Sequence, residues 1–141
     1  MVAIRKARLA DEREVFALTR AFATTFVPEA GPFAAAFARL VQRDDARVFV
    51  AERDGAIVGY VFGLTHDSLS TNGPVAWVSE LMVREDCRRA GVGAGLMDAF
   101  ETWARERGAR LVALATRRAA PFYSAIGYEE SAVYFRKLLT D

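Results

Sequence analysis

Residues 75–94 read VAWVSELMVREDCRRAGVGA, and this stretch decides the fold. Its first nine residues, 75–83, are mostly apolar or β-branched and predict a buried strand. Residues 84–89 are mostly charged, and Gly91 and Gly93 then begin a segment that predicts a helix. A strand that leads through glycines into a helix is typical of an α/β domain.

The start of this helix suits a phosphate ligand. The first four backbone N–H groups of a helix have no intrahelical partner, the helix dipole attracts an anion, and glycines let a phosphate approach closely. Arg84, Arg88 and Arg89 precede the glycines and predict charge-assisted contacts to phosphate. A tight strand-to-helix turn without any ligand is the alternative interpretation.

The glycine spacing separates the phosphate-binding motifs. A P-loop needs a Gly-Lys-Ser/Thr ending, which is absent, and a dinucleotide fingerprint needs a glycine or alanine where Leu96 stands. The pattern that remains is Arg-x-x-Gly-x-Gly, filled by Arg88, Gly91 and Gly93.

Before this stretch, the sequence predicts a strand, two helices and a hairpin. Residues 2–8 alternate apolar and polar side chains, Asp11 is placed to cap a first helix, and residues 33–43 have apolar groups at helical spacing. Residues 47–52 and 56–64 are β-rich and flank an Asp-Gly pair, which indicates two antiparallel strands.

After this stretch, the pattern predicts a helix, a strand, a short helix and a strand. Helical spacing of apolar residues runs from the glycines to just before Gly108, and residues 110–116 predict a strand. A short helix around residues 121–125 ends at Gly127, and residues 131–139 predict a final strand. The order of elements implies an α/β domain with a mixed sheet.

Two segments resemble the signature regions of the GCN5-related N-acetyltransferase (GNAT) family. The first is the strand end at residues 81–83 with the Arg-x-x-Gly-x-Gly loop, and the second is residues 121–128, PFYSAIGY. The resemblance covers at least residues 75–128, and the order of elements extends it to the whole chain. It implies an α/β GNAT fold in one domain over residues 1–141. In this fold a single mixed, mostly antiparallel twisted sheet of about six to seven strands is flanked by about four helices.

The same resemblance implies acetyl-coenzyme A as the cosubstrate, and no metal. In the family, the backbone of the strand end pairs with the pantetheine arm, and the glycine loop binds the pyrophosphate. The residues expected to contact the coenzyme are Leu81, Met82, Val83, Arg88, Arg89, Ala90, Gly91, Val92, Gly93 and Ala94.

Acetyl transfer from a thioester to an amine needs a base, an oxyanion site and an acid. Glu80 lies in the strand beside the expected pantetheine site and, as in many relatives, is the candidate base; a solvated or ion-paired glutamate is the alternative. Backbone N–H groups of Met82 or Val83 are expected to stabilise the oxyanion. Tyr123 resembles the family tyrosine that protonates the coenzyme thiolate, with a half-buried aromatic residue as the alternative.

One departure from the family pattern follows the strand predicted at residues 110–116. Many relatives carry an asparagine there, whereas this chain has Thr116-Arg117-Arg118-Ala119. The sequence therefore predicts no asparagine contact with pantetheine here. We interpret Arg117 and Arg118 as an exposed basic pair, with a contact to coenzyme phosphates as the alternative.

The expected activity is transfer of the acetyl group to a primary amine of a small molecule or protein, by direct attack through a tetrahedral intermediate. The alternative is a non-catalytic domain of the same fold that binds acetyl-coenzyme A as a sensor or partner-binding module. In the family the acceptor enters opposite the coenzyme. The candidate carboxylates for a cationic amine are Glu29, Glu80, Glu129 and Glu130.

Composition disfavours several other classes of protein. The chain has 19 Lys and Arg against 18 Asp and Glu, without the basic excess of nucleic-acid-binding proteins. Cys87 and His66 are the only cysteine and histidine, which excludes a disulfide within the chain and disfavours a metal site. No apolar run has the length of a membrane span or the pattern of a signal peptide. We therefore expect a cytoplasmic protein that binds neither nucleic acid nor membrane, and a homodimer by analogy with the family.

Overall fold

The computed structural model describes residues 1–140, and its elements follow the predicted order as far as the short helix. The elements are β1 (Ala3–Lys6), α1 (Glu12–Phe22), α2 (Ala30–Gln42), β2 (Ala46–Arg53), β3 (Ala56–His66), β4 (Val75–Val83), α3 (Val92–Glu106), β5 (Val112–Leu114) and α4 (Ala120–Ala125). Short 3₁₀ turns lie at Leu9–Asp11 and Glu85–Cys87. No helix in the described chain is long and apolar enough to cross a membrane.

The five strands form one sheet in chain order, β1-β2-β3-β4-β5. Neighbours among the first four strands are antiparallel, and β5 runs parallel to β4. The sheet is therefore mixed and mostly antiparallel, as predicted. Asp54 and Gly55 join β2 to β3 with φ angles of 53° and 80°, the left-handed backbone that a two-residue hairpin turn requires.

The predicted number of six to seven strands is wrong, because residues 1–140 form five. The strand expected at residues 131–139 is not formed. Residues 131–140 are exposed, have no regular secondary structure, and make no backbone hydrogen bond within the described chain.

Side-chain contacts anchor this C-terminal segment instead. The ring of Tyr134 stacks on that of Trp77 with centroids 6.3 Å apart, and the Arg136 guanidinium donates to the Thr25 hydroxyl at 2.9 Å. Alternating side chains predict strand propensity, but a strand also needs a neighbouring edge with which to pair. Local sequence does not show whether such an edge lies within reach.

Among the elements that do form, α2 and β5 differ most from their predicted bounds. The second helix begins at Ala30, three residues earlier than expected, and Pro32 is accommodated in its first turn. The strand predicted at residues 110–116 is limited to Val112–Leu114, because only these three residues pair with β4.

Asp11 does not cap α1 through its side chain, contrary to the prediction. Its buried carboxylate accepts two hydrogen bonds from the Arg5 guanidinium, at 2.8 and 2.9 Å, and one from the Arg8 N–H at 2.7 Å. The hydrogen bonds from Arg5 are the main reason that the pKa of Asp11 lies below its usual value. The carboxylate therefore ties β1 to the start of α1.

Helices cover both faces of the sheet. On one face, α3 packs on a cluster that includes Val58, Val61, Leu96, Met97 and Phe100. On the other face, α1 and α2 pack on a cluster that includes Val15, Leu18, Phe37, Val50 and Tyr60. The sheet is thus the middle layer of a three-layer structure.

Gly63 on β3 allows α3 to approach the sheet closely. A Cβ atom at this position would lie 2.5 Å from two ring carbons of the fully buried Phe100 and 2.5 Å from the Trp77 carbonyl oxygen. Such distances are shorter than any ordinary van der Waals contact. Both neighbours are held in the core or the sheet, so neither can move away easily.

Gly63→Ala is therefore expected to lower the free energy of unfolding by about 1–3 kcal/mol, a typical cost of overpacking. Gly95→Ala in α3 is the matched control, because the nearest atoms to a Cβ there are Ile4 side-chain carbons at 3.7 Å, an ordinary contact distance. This control should be more stable by up to about 1 kcal/mol, since alanine favours the helix. Urea unfolding followed by tryptophan fluorescence measures both changes. Equal stabilities of the two variants would contradict the packing argument.

Candidate functional site

The site is created where β4 separates from β5. The two strands pair only from Ala76 opposite Val112 to Val78 opposite Leu114. Directly after this pairing, the β3–β4 register skips Ser79, which forms a bulge in β4. A bulge bends its strand and increases the local twist, so β4 turns away from β5 at this point.

An open cleft of about 1000 Å³ lies between the separated strands, and we call it the β4–β5 cleft. Its walls are the second half of β4, the start of α3, the segment after β5, and parts of α1 and α4. Eight of the ten residues predicted to contact a coenzyme line it: Leu81, Met82, Val83, Arg88, Arg89, Gly91, Gly93 and Ala94. Ala90 and Val92 do not line it, and Val92 is buried in the core.

The backbone of β4 presents polar groups to this cleft. The Arg84 N–H faces β3, where it donates to the Val58 carbonyl at 2.7 Å. Backbone groups of successive strand residues point to alternate sides, so the N–H and carbonyl of Val83 face the cleft. The Arg88 Nε donates to that carbonyl at 3.1 Å, which agrees with this orientation. Of the two predicted oxyanion donors, Val83 rather than Met82 therefore has its N–H on the cleft side.

The N-terminus of α3 is open towards the cleft. Gly91 precedes the helix with a φ of 80°, and neither a capping side chain nor an acidic residue occupies the first turn. The first N–H groups of the helix therefore have no partner from a capping side chain. Gly93 is needed for packing, because a Cβ there would lie 3.1 Å from the Phe122 ring of α4.

Four arginines line the cleft, namely Arg88, Arg89, Arg117 and Arg118, together with a single acidic residue, Glu80. None of the four forms a salt bridge within residues 1–140. Arg117 and Arg118 are exposed, as interpreted from the sequence, and they also line the cleft, as the alternative of a contact to phosphates requires. Their place directly after a strand of an α/β sheet was the available signal, since ligands bind at the carboxyl ends of such strands.

Glu80 lies at the cleft and bonds to a buried tyrosine. The Tyr60 hydroxyl donates to Glu80 Oε1 at 2.7 Å, and the Thr19 hydroxyl lies 3.0 Å from the Tyr60 oxygen. Burial, and then the neighbouring carboxylate, raise the pKa of Tyr60 far above its usual value, so this phenol stays a donor. Glu80 is thus neither fully solvated nor paired with a cation within the described chain. The sequence did not predict this bond, which joins residues on two different strands.

Tyr123 lines the same cleft as Glu80. It is half-buried on α4, where its ring meets those of Phe122 and Tyr128 at centroid distances of 4.9 and 5.9 Å. Burial raises the pKa of Tyr123, so the phenol keeps its proton at neutral pH. Its hydroxyl has no hydrogen-bond partner among residues 1–140, which leaves it available to a ligand.

A second, smaller cavity of about 110 Å³ lies between α1, α2 and the sheet, and we call it the α1–α2 cavity. Aromatic and aliphatic side chains form most of its wall, and Thr19, Tyr60 and Glu80 supply the polar groups. Glu80 is the one lining residue that this cavity shares with the β4–β5 cleft. The two cavities therefore meet at this residue.

The other candidate residues lie away from both cavities. Glu29, Glu129 and Glu130 are exposed and line neither of them. His66 is exposed at the end of β3, and Cys87 is buried beneath the turn before α3. Within residues 1–140, no group of three histidine, cysteine or acidic side chains is arranged to hold a metal ion.

Comparison with known proteins finds relatives over most of the chain. The model described as the acetyltransferase (GNAT) family matches residues 13–128. An uncharacterised N-acetyltransferase of Methanocaldococcus jannaschii is 33% identical over 102 residues, which are 69% of this chain but only 45% of that protein. The chain thus spans less than half the length of this relative. Aminoglycoside N(6')-acetyltransferase type 1 of Salmonella typhimurium is 26% identical over 107 residues, covering 70% of this chain and 74% of that protein.

Solved structures show the same fold. AAC(6')-Iy in complex with the bisubstrate analogue CoA-S-monomethyl-acetylneamine matches with a TM-score of 0.83 at 22% identity, over 98% of this chain and 99% of that one. The predicted fold class is therefore confirmed, with five strands in place of six to seven.

Because Tyr60 and Glu80 share a hydrogen bond, their contributions to the free energy of unfolding should not be additive. Tyr60→Phe is expected to lower the free energy of unfolding by about 1–3 kcal/mol, because it removes a hydrogen bond to a carboxylate. The same change in a Glu80→Ala background should cost less, and urea unfolding of the double-mutant cycle measures the difference. Tyr134→Phe, at an exposed phenol, is the control and should be nearly neutral. Additive effects of the Tyr60 and Glu80 changes would contradict the coupling.

Proposed function

We propose that the protein is an enzyme that moves the acetyl group of acetyl-coenzyme A to a primary amine. The premise is that the chain belongs to the acetyltransferase (GNAT) family. The observation that carries the proposal is the β4–β5 cleft. It combines a free strand edge, an open helix N-terminus lined by arginines, and Glu80 and Tyr123 on its walls. We also propose that residues 1–141 act as one GNAT domain.

The cleft fits the chemical parts of acetyl-coenzyme A. Its open helix N-terminus and four arginines suit the phosphate groups, because both supply unpaired N–H donors and positive charge. The free edge of β4 suits the amides of pantetheine, which are able to pair with a strand edge as another strand would. The bisubstrate analogue bound by AAC(6')-Iy contains coenzyme A, which supports the same use of this fold.

The residues on the cleft walls match the proton transfers of the reaction. An alkylamine is mostly protonated at neutral pH, because its pKa is about 10.4 as in lysine. Glu80 accepts one proton from the ammonium group and passes it to water. The amine nitrogen then forms a bond with the acetyl carbonyl carbon, and the Val83 N–H stabilises the oxyanion that results.

Collapse of this tetrahedral intermediate needs an acid. As the C–S bond breaks, the sulfur takes the bonding electron pair, and Tyr123 donates a proton to it. The second proton lost by the nitrogen restores the Tyr123 phenol through water. The products are an N-substituted acetamide and the free thiol, and each turnover releases one proton.

Acetyl-coenzyme A is expected to raise the melting temperature of the protein, and Gly91→Glu should abolish this rise. A carboxylate at the helix N-terminus would repel and obstruct the phosphates. Gly108→Glu is a closely matched control, because Gly91 and Gly108 have φ angles of 80° and 83° and both have open space around a Cβ. Differential scanning fluorimetry with and without millimolar coenzyme compares the variants.

The control separates ligand loss from backbone strain. Both variants should melt at lower temperature than the parent, since glutamate is strained at a positive φ. Only the Gly108 variant should keep the rise on coenzyme addition. An unchanged melting curve of the parent protein at millimolar acetyl-coenzyme A would overturn the coenzyme assignment.

Tyr123→Phe is expected to lower kcat by about a hundredfold or more, the usual effect of losing a general acid. The coenzyme dissociation constant should change little, because the phenyl ring remains. Tyr128→Phe is the control, since the Tyr128 hydroxyl donates to Glu101 at 2.8 Å and does not line the cleft. A free-thiol release assay and coenzyme titration give the two quantities. Parent-like turnover of Tyr123→Phe would remove this residue from the mechanism, and coenzyme binding without thiol release from any amine would favour a sensor.

A further inference from the structure

We propose that the acceptor is a primary amine with a short apolar tail of about four carbons, whose ammonium group binds Glu80 and whose tail enters the α1–α2 cavity. This inference rests on the proposed function, since it names the second substrate of that reaction. It is carried by the composition, the volume and the position of the cavity.

The wall of the cavity selects an apolar group. Three aromatic rings and three aliphatic side chains form most of it: Phe33, Phe37, Phe62, Val15, Leu40 and Val48. No basic residue lines it, and Glu80 is its only acidic residue. A hydrocarbon tail that enters this cavity gives up no hydrogen bonds to water. The transfer of its apolar surface from water into the cavity is therefore favourable.

The two hydroxyl groups of the cavity, those of Thr19 and Tyr60, are already engaged. The Tyr60 hydroxyl donates to Glu80, and the Thr19 hydroxyl lies within hydrogen-bond distance of both the Tyr60 oxygen and the Val15 carbonyl oxygen. A hydroxyl or second ammonium group in the tail would therefore lose its water without finding a full set of partners. Burial of an unsatisfied polar group is costly, and burial of an unpaired charge costs more.

The Glu80 carboxylate marks where the amine binds. Its Oε1 accepts the Tyr60 bond, whereas Oε2 has no hydrogen-bond partner within the described chain. Because Glu80 lines both cavities and its carboxylate bonds to Tyr60 of the α1–α2 cavity, we place the ammonium group on Oε2, between that cavity and the β4–β5 cleft. A tail pointing away from the coenzyme then enters the apolar cavity.

The volume of the cavity sets the length of the tail. At about 110 Å³ it is smaller than the roughly 150 Å³ cavity that admits benzene. A methylene group occupies about the 30 Å³ share of a water molecule in the liquid, so the space holds about four carbons. Polyhydroxylated ring amines are too large and too polar for it.

Three amines of equal heavy-atom count test the selectivity: butylamine, 3-amino-1-propanol and 1,3-diaminopropane. Initial rates of thiol release at saturating acetyl-coenzyme A give kcat/KM for each. Butylamine should exceed the other two by about tenfold or more, because only its tail is free of polar atoms. Equal or higher kcat/KM for the amino alcohol or the diamine would overturn the inference.

A filled cavity provides a second test. Ala36 lines the α1–α2 cavity from α2, and Ala36→Leu would occupy most of it. This variant should lower kcat/KM for butylamine by about tenfold, chiefly through KM, and should keep the rise in melting temperature caused by acetyl-coenzyme A. Ala35→Leu is the control, because Ala35 is exposed on the same helix and lines neither cavity. Parent-like kinetics of a folded Ala36→Leu protein would contradict the proposed tail site.

The two proposals can fail separately. If the polar amines are acetylated as well as butylamine, the tail site is wrong and the acetyltransferase proposal stands. If acetyl-coenzyme A binds but butylamine releases no thiol, the tail site is wrong, whereas thiol release from no amine of any class would overturn the proposed function as well. If Ala36→Leu does not fold, Ala36→Val, which adds less volume at the same position, replaces it. The comparison of the three amines with the parent protein tests the tail site without any variant.

Discussion

The separation of β4 from β5 after a three-residue pairing is the constraint on which the site depends. Parallel strands must be joined by a crossover, and here α3 provides it, so the start of α3 lies beside the end of β4. The bulge at Ser79 turns β4 away just as the pairing with β5 ends. The cleft therefore opens within the sheet itself, with strand backbone along one wall.

β4 supplies different groups to its two cavities because a strand presents its backbone and its side chains in different directions. Backbone N–H and carbonyl groups lie in the plane of the sheet, so those of Val83 face the β4–β5 cleft. Side chains stand perpendicular to the sheet, and that of Glu80 reaches Tyr60 on the face covered by α1 and α2. One short strand segment thus connects an arginine-lined cleft to an apolar cavity.

Features encoded by a few neighbouring residues were predictable. The Asp54-Gly55 hairpin, β4 and the helix start at Gly91 follow from turn chemistry, apolar runs and glycine spacing, which act over a few residues. The prediction of a C-terminal strand at residues 131–139 was wrong, because strand formation depends on a partner edge that is distant in the sequence. The prediction that Asp11 caps α1 was wrong for a similar reason, since its carboxylate accepts hydrogen bonds from the Arg5 guanidinium of β1 instead.

By itself, the sequence determined the order of elements as far as α4, the glycine-rich start of α3, and the family to which the two signature segments point, since short-range patterns encode all three. Only the tertiary structure decided that Arg117 and Arg118 face the same cleft as Arg88, and that Tyr60 bonds to Glu80. It also decided that Glu80 lines both this cleft and a small apolar cavity. These juxtapositions join residues from separate elements, and they arise only when a twisted sheet with a bulge brings its strands and helices together.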